Sequence, residues 1–460
     1  MRFANELARP HPGPLPLERE KAAAAPPSRW PGYEAMADAA LTPEKRFRAA
    51  ALAGRNCFLT GMGGTGKTWE LKALITDLAA GHHPRRVDVT APTGVAALNA
   101  GGMTLHRFCG MMLGPQPGQS NEEYFEQLRR DPRRSILAGF NRVRRCEVLV
   151  VDEISMLPGR QLDFVEFLFR RLRGREEPFG GCQVIVVGDF LQLPPVRTAE
   201  TEPYDWAFQS PAWAAGEFKR IVLETVRRQD EPQFVKALGN FRAGRVWGDC
   251  ARLLQSRVRS NPPATMPRLF THNVQVDKWN EFQLSELARE ETVLDAVQTG
   301  PDHQRAFLVK NLLTPATLRL KPGALVSFTV NKNEPGQSAP LFVNGQVGTV
   351  EDFRPGLIVV RVQGGETVGV EPFTWRYDAQ DADSGAFKQF PLRLAWAMTI
   401  HKSQGLTLDA AYLDIRAARE PGQAYVAVSR VRTLAGLHFK DWFKGLHVSP
   451  EAIQFYEGIR

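Results

Sequence analysis

Four short apolar runs, Cys57–Leu59, Val87–Val89, Val148–Val151 and Val184–Val187, punctuate the first half of the chain. Each is too short for a helix and predicts a strand, and their spacing between amphipathic stretches is that of a sheet covered on both faces. Amphipathic stretches separate them, and the one after the first run opens as Trp69-Glu70-Leu71-Lys72-Ala73-Leu74-Ile75, with helical spacing. The alternation predicts a parallel sheet with helices on both faces over residues 41–215. Ordered chain is expected from Leu41-Thr42-Pro43-Glu44, where Thr42 caps a helix and Pro43 takes its first position. Residues 1–40, with His11-Pro12-Gly13-Pro14 and the Pro/Ala-rich stretch Ala22 to Pro27, read as a flexible extension.

Residues 108–146 break this rhythm with a Gly/Pro-containing loop and then Arg129, Arg130, Arg133, Arg134, Arg142, Arg144 and Arg145. They predict a subdomain inserted into the first α/β unit, its arginines facing either nucleic acid or solvent. A second α/β unit is expected over 216–317 and 386–447, with Ile221 near its start and Arg268-Leu269-Phe270-Thr271 inside it. Within it, residues 318–385 change to alternating Thr, Val and Phe with Gly-containing turns, as in Leu325–Phe328, Gln346–Val350 and Leu357–Val362. That texture predicts a small inserted antiparallel β-barrel. The α/β spacing is expected to return at Leu392-Arg393-Leu394-Ala395-Trp396, and 448–460 read as a C-terminal tail. The fold class is therefore α/β, with two parallel-sheet domains and an insertion in each.

Composition adds less. A chain of 460 residues has room for about two to four domains. Its net charge of +8 favours a polyanionic partner such as nucleic acid, or else only a solubilising surface. No apolar run approaches the ~20 residues that span a bilayer, so no membrane partner is expected. Cys57, Cys109, Cys146, Cys182 and Cys250 form no CxxC pair, which fits reduced core thiols of an intracellular protein better than a zinc site or disulfide framework. Arg2, Glu6 and Pro10 leave no apolar segment for a secretory signal.

The chemistry concentrates at Gly61-Met62-Gly63-Gly64-Thr65-Gly66-Lys67-Thr68, between the first strand and the first long helix. Glycines there let backbone N–H groups converge on a polyphosphate, Lys67 reaches the outer phosphates, and the Thr68 hydroxyl suits Mg²⁺. The helix N-terminus adds its positive dipole end. Further on, Val148-Leu149-Val150-Val151 delivers Asp152 and Glu153 to a strand's C-terminal edge. One carboxylate serves the metal's hydration shell and its neighbour the attacking water, a pairing that points to hydrolysis of the triphosphate. A third strand ends in Gly188-Asp189-Phe190-Leu191-Gln192-Leu193-Pro194-Pro195, placing Gln192 where it can sense the γ-phosphate.

With these come Thr90-Ala91-Pro92-Thr93-Gly94-Val95-Ala96-Ala97-Leu98-Asn99 leading to Thr104-Leu105-His106, and Leu223-Glu224-Thr225-Val226-Arg227-Arg228-Gln229. Near the C-terminus stand Thr399-Ile400-His401-Lys402-Ser403-Gln404-Gly405-Leu406-Thr407 and Ala424-Tyr425-Val426-Ala427-Val428-Ser429-Arg430. In residue type and order, from about 57 to 440, these motifs resemble those of the petite-integration-frequency (Pif) helicases of superfamily 1B. The resemblance implies two RecA-like motor domains and an ATP-dependent 5′–3′ DNA helicase acting on single-stranded and forked DNA, with Mg²⁺ as cofactor. A strand-stimulated translocase that remodels protein–nucleic acid complexes or RNA without net unwinding is the alternative. Residue by residue it implies ATP contacts from Gly61, Gly63, Gly64, Thr65, Gly66, Lys67, Thr68 and Gly405, and metal ligation by Thr68 and Asp152. It makes Glu153 the base, Gln192 the γ-phosphate sensor, and Arg228 and Arg430 the arginine fingers of the second motor domain. Strand contacts fall to Pro92, Thr93, Gly94 and His106, and to Thr399, His401, Lys402 and Ser403; for His106 a satisfied core histidine is an equal alternative. A monomer is expected, in the cytoplasm or nucleoid of a bacterium or the nucleus or mitochondrion of a eukaryote.

Two positions depart from the family's pattern. Lys45 stands where an adenine-reading glutamine is usual, which puts base selectivity in question unless other groups, such as backbone near Asn56, supply it. Arg227 replaces an aromatic before the Arg-Gln pair, which adds charge near the cleft.

Overall fold

The computed structural model describes residues 41–459 except 81–83, 198–201, 264–265, 334–339, 363–364, 378–383 and 443–444. The expected flexible extension, 1–40, lies outside the described residues. The first helix, α1, is Pro43–Leu52, and the Thr42 hydroxyl accepts the Lys45 N–H at its start. Strands β1 (Cys57–Gly61), β2 (Val87–Ala91), β3 (Met103–Thr104), β4 (Val148–Val151), β5 (Gln183–Val187) and β6 (Lys219–Leu223) follow. They form one sheet in the order β3-β2-β4-β5-β1-β6, parallel throughout. β1, β4 and β5 are buried along their whole length, as their unbroken apolar runs require. Helix α2, Lys67–Ala80, follows β1 and packs Leu71, Leu74 and Leu78 against the sheet.

The expected boundary at 216 moves. Ile221 lies on β6, which pairs with β1 in the first sheet, because its Arg-Ile-Val-Leu run completes an edge beside the phosphate loop. The second parallel sheet is built from Arg268–Phe270, Ala397–Thr399, Ala411–Leu413 and Leu437–Phe439. Leu392–Leu394, expected to resume the α/β pattern, instead pairs antiparallel with Leu325–Phe328. The antiparallel region contains a five-stranded sheet over the range 325–394 and shares one apolar core that includes Phe328, Phe342, Val360 and Leu392. Pairs of Thr292–Asp295 with Thr317–Leu320, and of Val297–Thr299 with Ala386–Gln389, carry it beyond the expected 318–385 at both ends.

In the first insertion, helices Asn121–Arg130 and Arg134–Arg145 bury Tyr124, Phe125, Leu128, Ile136 and Phe140. Of its arginines, Arg142 turns inward and donates to the Phe108 and Arg107 carbonyls. Arg129 pairs with Glu126 and Arg133 with Asp131, all on the surface of the insertion. All five cysteines are free and buried, with Cys146 and Cys182 sulfurs 3.7 Å apart.

The segment expected as a tail is a helix, Pro450–Glu457, capped by Ser449. It returns to the first domain and packs Phe455 against Phe58, Phe190, Phe208 and Trp213. Among the described residues no helix is long and apolar enough to cross a membrane.

Candidate active site

The phosphate loop joins β1 to α2 with Gly64 and Gly66 at φ +89° and +90°, a left-handed backbone that only glycine adopts without strain. The Lys67 ammonium donates to the Gly61 and Met62 carbonyls at 2.8 and 3.1 Å. Burial lowers its pKa, while Asp189, Glu153 and Asp152 oppose that shift. The Thr65 hydroxyl donates to the Met62 carbonyl, and the Thr68 side of the helix remains exposed. The Gly63 N–H donates to the Tyr425 hydroxyl at 2.9 Å, so a phosphate entering the loop competes with a group from the second domain.

Asp152 and Glu153 leave the end of β4 side by side. Asp152 accepts the Glu153 N–H at 2.9 Å. Glu153 has φ 52° and ψ 44°, a left-handed conformation that costs a non-glycine residue on the order of 1–3 kcal/mol. Burial raises both carboxyls, Asp152 up to about 7, with Lys67 pulling both back. The Gln404 side chain, from the second domain, also faces Glu153 and favours its charged form. Gln192 is buried, with its amide 3.5 Å from Asp189. The Gln192 backbone carbonyl lies 2.3 Å from where a Cβ on Gly422 would stand, so any larger residue at 422 would drive the two domains' loops apart.

Asp189 is the centre of this network. It is fully buried and accepts from Arg242 twice, at 3.0 and 2.6 Å, and from the Leu191 N–H and the Tyr456 hydroxyl. Tyr456 also bonds Thr60 at 2.6 Å, on β1. Neither Arg242, Tyr425, Tyr456 nor Gln404 was legible as a site residue from sequence. Only the strand-end acid at 189 carried a signal.

Both expected finger arginines reach the loop. The Arg228 guanidinium donates to Thr407 Oγ1 at 3.0 Å and to the Ser429 carbonyl at 2.9 Å. Arg430 donates to the Val426 carbonyl at 2.9 Å and to Ser429 Oγ at 2.8 Å. A Cβ on Gly63 would stand 3.2 Å from Arg430 Nη2, and one on Gly64 would stand 2.7 Å from Arg228 Cβ. Burial lowers both pKa values, Arg228 to about 9, and each is the kind of under-compensated buried cation that an anion would stabilise. Gly405, at φ +83°, is exposed and lies nearest Asn99 rather than the loop.

The expected strand contacts divide into open and closed positions. Thr93 caps the helix Gly94–Ala100 by accepting the Ala96 N–H. A Cβ on Gly94 would meet the Asn311 side chain of the antiparallel region at 2.1 Å. His106 is half-buried, bonds the Leu113 backbone and has its pKa lowered by burial, as a satisfied core histidine does. Thr399 and Ser403 are buried, and their hydroxyls serve the Lys402 N–H and the Ile400 carbonyl. His401 and Lys402 are exposed, His401 beside Glu420 at 3.1 Å. Asn56, near which backbone was the alternative for base reading, has its own carbonyl and side chain engaged. Its carbonyl accepts from the Lys219 N–H, and its side-chain amide donates to the Gly216 carbonyl and accepts from the Val184 N–H.

Residues 46–242 match the family model of PIF1-like helicases. An ATP-dependent DNA helicase Pif1 of Bdellovibrio bacteriovorus is 36% identical over 423 residues, covering 91% of this chain and 92% of the relative. An ATP-dependent DNA helicase PIF1 of Xenopus laevis is 38% identical over 422 residues, covering 89% of this chain but 62% of that longer protein. The crystal structure of Bacteroides sp Pif1 in complex with ADP-AlF4 superposes with a TM-score of 0.77 at 30% identity, over 91% of this chain and 96% of the other. With the phosphate loop, the paired carboxylates and two arginines closing on them, these likenesses place the chain in the Pif1-like helicase family of superfamily 1B, ATP-hydrolysing DNA helicases with RecA-like motor domains.

Proposed function

We propose that this protein moves 5′ to 3′ along single-stranded DNA and unwinds duplex ahead of it, one ATP hydrolysed per closure of the cleft between its two parallel-sheet domains. The observation that carries the reading is the approach of Arg228 and Arg430 to Gly64 and Gly63. Arg430, supplied from the second domain, ties hydrolysis to closure, while Arg228, just past β6 and bonded through its backbone to Gly64, reaches across to Thr407 and the Ser429 carbonyl. The triphosphate is cradled by the loop N–H groups and Lys67. Thr68 and Asp152 offer one hydroxyl and one carboxylate, the sparse donor set that Mg²⁺ accepts when phosphate oxygens and water complete its shell. Held by Thr68 and Asp152, Mg²⁺ would supply positive charge against that developing on the triphosphate. Glu153 takes the proton of the attacking water, its raised pKa bringing it nearer to neutral pH. Gln192 positions that water or the γ-phosphate. Arg228 and Arg430 neutralise the transferring group. Nucleotide entry displaces Tyr425 from Gly63 and product release lets it return, and the segment of Gln192 against Gly422 carries the change to the strand-holding surface.

The strand itself, single or at a fork, is held by many weak contacts that exchange at each step. Pro92, the helix N-terminus behind Thr93 and Gly94, His401 and Lys402 provide them, and the protein works as a monomer. Glu153→Gln tests the base. Turnover is expected to fall about 10²–10⁴-fold with single-strand binding retained, and Lys67→Ala to abolish it. A Glu153→Gln rate within a few-fold of wild type would remove Glu153 from the reaction.

A further inference from the structure

A helix leaves its last carbonyls without an intrahelical donor. The helix Gln423–Ser429 ends at Arg430, its C-terminal cap. The carbonyls on either side of that arginine, of Ser429 and Val431, both accept from one side-chain nitrogen, Gln229 Nε2, at 3.2 and 2.8 Å. Arg228 adds a second donor to the Ser429 carbonyl at 2.9 Å. Gln229 belongs to the stretch that follows β6 of the first sheet. That stretch is stitched to the phosphate loop by the Arg227 and Arg228 N–H groups, which donate to the Gly64 carbonyl at 2.8 and 3.2 Å. One amide therefore ties the loop's immediate neighbour to the backbone that carries Arg430 in from the second domain.

The orientation of that amide follows from what it faces. Turned the other way, its oxygen would meet two carbonyl oxygens, so the nitrogen takes them and the oxygen is left toward Gly64. Gln229 is 2% exposed, and this oxygen is buried with no hydrogen-bond partner, 3.2 Å from where a Cβ on Gly64 would stand. Phosphate oxygens offer it no donor, so Gln229 is not a phosphate ligand. Its part in the site is the pair of bonds to 429 and 431. Within its own helix Arg430 is aimed by the Val426 carbonyl and Ser429 Oγ, which fix the direction of the guanidinium but not its distance from the loop. That distance is set by what holds the helix end against Gly63 and Gly64. We infer that Gln229 is a positioning residue for Arg430: its amide pins the Ser429–Val431 backbone beside the phosphate loop, so that the guanidinium meets the outer phosphates in place. The inference rests on Arg430 neutralising the transferring group, and adds how that group is held from the first domain's side.

The test is single-turnover hydrolysis by the full chain at saturating ATP and single-stranded DNA, in wild type, Gln229→Met, Arg430→Ala and the double variant, with ATP affinity measured alongside by equilibrium binding. Methionine keeps the length of glutamine and removes both donated bonds, and Gln229→Ala is the second variant if methionine packs badly. Gln229→Met is expected to slow hydrolysis by about 10–100-fold while ATP affinity stays within about threefold, because a displaced guanidinium costs transition-state stabilisation rather than binding. In the Arg430→Ala background the same substitution should cost no more than about twofold, since residues that act as one unit do not add. A role in the fold alone would slow both backgrounds alike and weaken ATP and strand binding with them. Equal losses in the two backgrounds, or a Gln229→Met rate within about threefold of wild type, would overturn the inference. Near wild-type hydrolysis by Arg430→Ala would instead strike the underlying reading.

Discussion

Arg430→Ala is expected to lower strand-stimulated ATP turnover by about 10³–10⁵-fold, the range that arginine fingers contribute in other phosphate-loop enzymes. The side chain is 2% exposed and aimed by bonds to the Val426 carbonyl and Ser429 Oγ. Its outer nitrogen already lies against Gly63, where the polyphosphate enters. A guanidinium fixed in this way needs no reorganisation as charge develops, which is why its removal should act on kcat more than on nucleotide affinity. Arg430→Lys keeps the charge but loses the planar fork, and should recover only part of the rate. Arg228 shares the Ser429 carbonyl environment and repels Arg430, so the two act as one unit. The double variant should therefore be little worse than Arg430→Ala alone. Single-turnover hydrolysis at saturating ATP and single-stranded DNA measures this. An Arg430→Ala rate within about tenfold of wild type would mean that the group acts elsewhere.

Arg242→Ala should destabilise the folded protein by about 3–5 kcal/mol, because it strands the fully buried Asp189 without its bidentate partner. Arg242 ends the helix Pro232–Arg242, whose Phe234, Leu238 and Phe241 belong to the second domain's core, whereas Asp189 follows β5 of the first. The pair is thus a bond between domains, and Tyr456 brings the C-terminal helix to the same carboxylate. Burial alone would raise the Asp189 carboxyl, yet Arg242 and then Lys67 hold it below the ordinary range. A depressed carboxyl stabilises the fold above its unfolded pKa of about 3.9, and that contribution is lost as pH falls through the lower folded value. In Arg242→Ala the carboxyl shifts upward, so the variant's deficit should be largest near neutral pH and shrink on acidification. Adding Asp189→Asn should restore part of the stability, since removing both charges is cheaper than stranding one. Denaturant midpoints across pH measure both effects, and a pH-independent loss below about 1 kcal/mol would contradict the buried-pair account.

The sequence was most legible where the chain states its environment locally. Short apolar runs located β1, β2, β4 and β5, and the spacing at 61–68 located the loop. Fold class and family followed from motif order. What escaped was partnership at a distance. Lys219–Leu223 reads as a strand, but nothing in its residues says that β1 rather than the second sheet receives it. Leu392–Leu394 misled in the same way. The last helix carries a readable Ser449-Pro450 cap, yet its apolar face is explained only by Phe58, Phe190 and Trp213, far away in the chain. The site divides likewise. Residues fixed to strand ends and the loop were visible, whereas Arg242 meets Asp189 across 53 positions and Tyr425 meets Gly63 across 362. Hydroxyls at 399 and 403 look available in sequence but are buried and bonded within their own helix turn.

The central claim is that cleft closure on ATP drives this chain along one strand in one direction. Its most direct test is ATP turnover and unwinding on duplexes bearing either a 5′ or a 3′ single-stranded tail. The account predicts turnover that rises with single-stranded DNA and unwinding from the 5′ tail alone. Turnover indifferent to single strands, or unwinding only from the 3′ tail, would contradict it.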